Sequence, residues 1–120
     1  MATFVDIERQ LGEEWQIEQV ALDASGNPLR IVDLQFRLLD PANGVLLDLN
    51  IASGAVSLVT DGSDGLALVN ISPAMQVADI PAPDLYQYET RGVMADGTLA
   101  LLSYGGFNAT QSAFTAFPYP

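Results

Sequence analysis

The sequence predicts an all-β chain folded as a two-sheet antiparallel β-sandwich of seven to eight short strands. Two observations predict it. Turn residues (Gly, Pro, Asn, Asp) recur at short, nearly regular intervals, and the segments between them are of strand length and either alternate or are apolar throughout. At 120 residues the chain is one domain with a core of its own, needing no metal or disulfide staple.

The first strand candidate spans residues 14–22, where Trp15 and Ile17 alternate with Glu14, Gln16 and Glu18. The apolar phase then slips to Val20 and Leu22, which predicts a bulge near Gln19 or a change of sheet. The turn at 23–28 (Asp-Ala-Ser-Gly-Asn-Pro) precedes a strand with Leu34, Phe36 and Leu38 on one face and Gln35 and Arg37 on the other, closed by Asp40 to Gly44. A further strand covers 45–51. Residues 56–60 and 66–71 flank Asp-Gly-Ser-Asp-Gly at 61–65 and read as a hairpin, apolar on both faces and therefore buried from two sides or covered by a partner. Ser72-Pro73 places an N-cap and a proline at the first position of a single helical turn. Tyr86, Tyr88 and Thr90 alternate with Gln87, Glu89 and Arg91 as a half-buried strand. Asp96-Gly97 predicts a two-residue type I′ turn joining 91–94 to 99–102. Phe4, Ile7, Glu8 and Leu11 recur at helical spacing, so 3–11 reads as a short amphipathic helix stopped at Gly12. The chain thus divides into an N-terminal helical arm (1–12), the sandwich (13–106) and an extended, uncharged aromatic tail (107–120).

Composition removes reaction classes. The chain has no histidine, cysteine or lysine, hence no Ser-His-Asp or Cys-His pair, no imidazole or thiolate zinc site and no Schiff-base lysine. A net charge of -11 opposes binding to nucleic acid and to anionic membranes, and no apolar run approaches the ~18 residues of a membrane helix. The start carries no signal-peptide pattern, which predicts a soluble protein made without one. Asp61 and Asp64 lack the Glu that completes a calcium loop, and Glu13 and Glu14, adjacent on a strand, point to opposite faces. The reading is a non-enzyme without cofactor or metal.

What remains is interaction chemistry. Only 16% of residues are charged against 49% hydrophobic, so part of the surface is reserved for partners. Phe4, Ile7 and Leu11 on the arm, with Phe114, Phe117 and Tyr119 on the tail, are the candidate anchors, and Arg37 and Arg91 on outward strand faces are candidate bidentate contacts. Trp15, Phe36, Tyr86 and Tyr88 are structural, with Tyr86 at the corner position of an immunoglobulin-type tyrosine corner.

The segments Trp15 to Ile31, Leu34-Gln-Phe-Arg-Leu, Asp84-Leu-Tyr-Gln-Tyr-Glu and Ala95-Asp-Gly-Thr-Leu resemble the immunoglobulin-like N-terminal domain of phage baseplate upper proteins and related small phage virion proteins. The shared features are a D-x-x-G-x-P turn, a G-x-Y-x-Y strand and a D-G hairpin, with Asp84 standing in place of the glycine. The resemblance covers roughly 14–104 and implies an immunoglobulin-like sandwich. It further implies a structural component of a virion, in tail, baseplate or head, made in the bacterial host cytoplasm and assembling with other virion proteins and with further copies of itself as a homo-oligomer. The alternative function is an immunoglobulin-like carbohydrate- or receptor-binding module, which needs an exposed aromatic platform.

Overall fold

The computed structural model describes residues 2–111. These described residues form nine strands and one helix: β1 (Thr3–Phe4), β2 (Ile7–Leu11), β3 (Trp15–Val20), β4 (Asp33–Leu39), β5 (Val45–Leu49), β6 (Val56–Leu58), β7 (Leu66–Ile71), α1 (Pro73–Asp79), β8 (Asp84–Val93) and β9 (Leu99–Gln111). A six-stranded sheet runs β1-β9-β8-β4-β5, with β2 also on β9, and a three-stranded sheet runs β3-β7-β6. The two sheets form a β-sandwich around one core. Among the described residues no helix is long and apolar enough to cross a membrane.

The core follows from alternation. Leu34, Phe36 and Leu38 of β4, Tyr86 and Tyr88 of β8, and Phe107 and Ala109 of β9 face Trp15 and Ile17 of β3 and Ala67, Val69 and Ile71 of β7, all buried. Phe107 is the hub. Its ring lies 5.1 Å from Trp15 across the sandwich and 6.4 and 6.3 Å, edge-on, from Phe36 and Tyr88, which stack on each other. Trp15 Nε1 donates to the Gln10 carbonyl at 2.8 Å, so its burial leaves no donor unpaired.

Turn aspartates fix the connections. Asp23 Oδ1 accepts from Ser25 N and Asn27 N, and Asp40 Oδ1 accepts from Ala42 N and Gly44 N, each bond within 2.8–2.9 Å. In both turns the fourth residue takes positive φ: Gly26 at 82° and Asn43 at 66°. Ser72 caps α1 by accepting from Met75 N, and Pro73 opens the helix, which runs two turns where one was expected. Gln76 of α1, fully buried, accepts from Gly12 N at 2.9 Å and donates to the Glu13 carbonyl at 2.6 Å, tying the helix across the β2–β3 turn.

Several expectations are corrected. Residues 3–11 are not a helix: β1 and β2 form an interrupted edge strand lying parallel to β9, so the sandwich is not purely antiparallel. Ile7, Arg9 and Leu11 share one strand face, and the polar Arg9 hides the two-residue period that Ile7 and Leu11 would otherwise show. Residues 107–111 belong to β9, and the rest of the expected tail, 112–120, lies outside the described residues. No bulge sits at Gln19. The β3–β7 register is continuous from Trp15↔Ile71 to Val20↔Leu66, because Gln19 faces inward to accept from Thr90 Oγ1 (3.0 Å) and Ser103 Oγ (2.8 Å) while Val20 faces out. The Asp96-Gly97 turn is not type I′: only Gly97 has positive φ, Gly97 N donates to the Met94 carbonyl and Met94 N to the Thr98 carbonyl, giving a three-residue loop with the glycine bulge. The 56–71 hairpin buries Val56, Ala67, Val69 and Ile71, and leaves Leu66 and Leu68 half-buried on the outer face.

Because Phe107 joins both sheets, Phe107→Ala is expected to lose about 3–5 kcal/mol of unfolding free energy in urea denaturation. A loss below about 1 kcal/mol would contradict its role as hub.

Candidate functional site: the open face of the six-stranded sheet

The outward face of the large sheet carries the side chains that the core leaves out. On β8 these are Leu85, Gln87, Glu89 and Arg91; on β4, Gln35, Arg37 and Leu39; on β9, Leu99, Leu101 and Tyr104. Cross-strand pairing aligns Asp48, Arg37, Glu89 and Tyr104 in one row. Arg37 Nε lies 3.4 Å from Asp48 Oδ2 and Arg91 Nη2 lies 3.2 Å from Glu89 Oε1, so two of the four arginines are neutralised on this face.

The N-terminal segment shapes one side of it. Val5 N donates to the Tyr104 carbonyl at 2.9 Å, Gly106 N donates to Asp6 Oδ1 at 2.9 Å, and the Tyr88 hydroxyl donates to the Val5 carbonyl at 2.6 Å. Gly105 is required there, since a Cβ would sit 2.3 Å from the Val5 oxygen. Anchored this way, Phe4 meets Tyr104 edge to face at 5.4 Å. Gly106 adds no side chain to the outer face, and the space between the Phe4–Tyr104 pair and Leu85 is an open groove of ≈ 660 Å³. Pro41 and Leu101 complete its apolar lining, with Asp6, Gln87 and Glu89 as the polar part. Phe4 and Leu85 are each 62% exposed and Tyr104 42%, an exposure that a folded monomer has no internal reason to maintain.

The sequence-derived anchors separate in the structure. Phe4 stands on the groove. Ile7 packs against the core and Leu11 is fully buried in it, so neither is available as a surface anchor, because β2 turns them inward. Phe114, Phe117 and Tyr119 lie outside the described residues. Arg37 and Arg91 face outward on neighbouring strands, each with its own carboxylate. Trp15, Phe36, Tyr86 and Tyr88 are buried, and the Tyr86 hydroxyl donates to the Ala82 carbonyl four residues upstream. Sequence reasoning missed Leu85, Leu101 and Tyr104. Leu85 carried a signal, being a leucine in the same alternation phase as Gln87 and Glu89. Asp61 and Asp64 are spent on their own loop, Asp61 Oδ1 accepting from Ser63 N and Oγ and Asp64 Oδ1 from Leu66 N. The Ser63 hydroxyl holds the Asp61 carboxyl below its ordinary range. Among the described residues no three His, Cys, Asp or Glu side chains converge as metal ligands.

No protein-family model and no curated protein matches the sequence. Among solved structures, CopC from Methylosinus trichosporium OB3b is similar at 10% identity and a TM-score of 0.49, over 91% of this chain and 89% of that one.

Burial raises the Tyr88 phenol above the ordinary value of 10.0; the Ser103 hydroxyl partly offsets this and the Asp6 charge adds to it. Between the ordinary and the native pKa the unfolded chain holds fewer protons, so the stability given by the neutral phenol is full below pH ~10 and is lost as pH rises through the native value. In urea denaturation above pH ~10, wild-type stability is expected to fall more steeply than that of Tyr88→Phe; parallel slopes would contradict the shift.

Proposed function

We propose that the chain is a non-enzymatic structural protein that assembles by docking the open face of its six-stranded sheet onto protein partners, as a component of a phage particle in tail, baseplate or head. The observation that carries the docking reading is the exposed Phe4, Leu85, Leu101 and Tyr104 gathered at one groove on a face whose arginines are already paired. The part of these apolar side chains still exposed is removed from water when a partner covers it, at roughly 25 cal/mol per Å² of apolar area. The remaining surface is strongly acidic, which keeps free subunits apart and disfavours wrong contacts. The phage setting rests on the sequence resemblance at 14–104. Partners are other virion proteins and further copies of the chain, and its location is the virion.

We also read the sandwich as immunoglobulin-like. Three features support this: the sheet orders β9-β8-β4-β5 and β3-β7-β6 match the G-F-C-C′ and B-E-D arrangement of variable-type domains, the edge strand β2 lies on β9, and Tyr86 sits at the tyrosine corner. Trp15, Phe36 and Tyr88 fill the space where antibody domains place a disulfide and a tryptophan.

A second reading, a carbohydrate-binding module, is favoured by Phe4 and Tyr104 lying beside Asp6, Gln87 and Glu89. Their edge-to-face geometry offers no flat pair of rings for sugar stacking, which places this reading second. The test uses tagged chain supplied during phage production. Wild type is expected to co-sediment with density-purified particles and Leu85→Glu to be reduced at least tenfold. Wild type absent from particles, or saturable capture of a glycan that Leu85→Glu abolishes, would overturn the assembly reading.

A further inference from the structure

We propose that the groove bounded by Phe4, Leu85 and Tyr104 binds a segment of a partner protein that brings a cationic side chain, arginine foremost, next to an apolar one; the proposal rests on the docking reading above and names the chemistry of the occupant. The charged side chains lining the groove are Asp6 and Glu89, with no arginine among them. Glu89 has its cation, since Arg91 Nη2 lies 3.2 Å from its Oε1. Asp6 has none among the described residues, where the ion pairs are those of Arg37 and Arg91. Its Oδ1 is fixed by the 2.9 Å hydrogen bond from Gly106 N, so the carboxylate is held in place with its charge unmatched.

Gly106 sets the spacing between that charge and the apolar wall. A Cβ on Gly106 would lie 3.2 Å from Asp6 Oδ1 and 3.4 Å from Leu85 Cδ1, so the carboxylate and the leucine methyl flank the same bare stretch of backbone. An occupant resting on Gly106 meets a negative charge on one side and an aliphatic surface on the other. Phe4 and Tyr104, edge to face and both partly open to solvent, add aromatic surface that attracts a cation. Arginine suits this combination better than lysine: its plane covers a ring while its N–H groups reach a carboxylate, and its weaker hydration lowers the cost of entering an apolar groove. The field of the whole chain acts in the same direction, because a net charge of -11 draws in a basic segment and repels an acidic one.

The probe is a random heptapeptide library selected on the immobilised full-length chain. Peptides held by net charge alone also bind Leu85→Glu, which is more acidic, and are discarded on that variant. The peptides that remain are expected to carry an arginine or lysine beside a large apolar residue. A synthetic peptide of the enriched sequence is then titrated by calorimetry. Its affinity is expected to fall at least tenfold on Asp6→Asn, to fall as much on wild type when its cationic residue is replaced by glutamine, and to weaken as salt is raised. Asparagine keeps the oxygen that accepts from Gly106 N, so the first loss reads charge and not shape, and the altered peptide reads it without any change to the protein. Enrichment of apolar peptides that lack a cation, an affinity equal for wild type and Asp6→Asn, or no peptide surviving the discard would each overturn this inference. Self-association of wild type in sedimentation velocity that Leu85→Glu abolishes and Asp6→Asn does not would name a second copy as the occupant, and the inference fails with the docking face left standing. The docking reading fails separately, when Leu85→Glu enters particles like wild type.

Discussion

The arrangement depends on one close approach, the Val5 carbonyl over Gly105. The Tyr88 hydroxyl donates to that carbonyl from inside the core, and the missing Cβ of Gly105 lets the two backbones meet. From this contact follow the parallel pairing of β1 and β2 on β9, the position of Phe4 against Tyr104, and the wall of the groove. Tyr88 therefore acts at two levels at once. Its ring stacks on Phe36 in the core, and its hydroxyl holds the segment that shapes the surface. A buried phenol must find an acceptor, and here the acceptor is the backbone of the segment that Val5 N and Asp6 also tie to β9.

Charge is distributed with the same division. Asp23, Asp40, Asp61, Asp64 and Asp96 accept backbone amides of their own turns, so much of the acidity serves local geometry as well as repulsion. The open face of the large sheet carries arginines matched to Asp48 and Glu89 instead. The outer face of the small sheet is a competing apolar surface, with Val20 exposed and Leu66 and Leu68 half-buried. Among the described residues no aromatic pair lies on it, which is why the docking account is placed on the large sheet.

Features set by residues close in sequence were legible before the structure. Asp40 to Gly44, Ser72-Pro73 and the Leu34, Phe36, Leu38 face all read correctly, because a turn, a cap and an alternating face are decided within a few residues. Features decided by distant partners were not. Phe4 to Leu11 pair with residues about 100 positions away, and Arg9 masks their alternation, so a strand reads as a helix. Gln19 looked like a register slip because its partners, Thr90 and Ser103, lie on the other sheet. The groove was legible in part: Phe4 stood out, whereas Tyr104 and Leu101 needed the bulge between Thr90 and Arg91 to place them outward.

The account claims that this groove face, and not the outer face of the small sheet, is the surface that partners cover. Methyl NMR on leucine-labelled full-length chain reads this directly, by comparing dilute with associated protein. The account predicts large shifts confined to Leu85 and Leu101, with Leu66 and Leu68 unmoved. Shifts at Leu66 and Leu68 with Leu85 and Leu101 unchanged would contradict it.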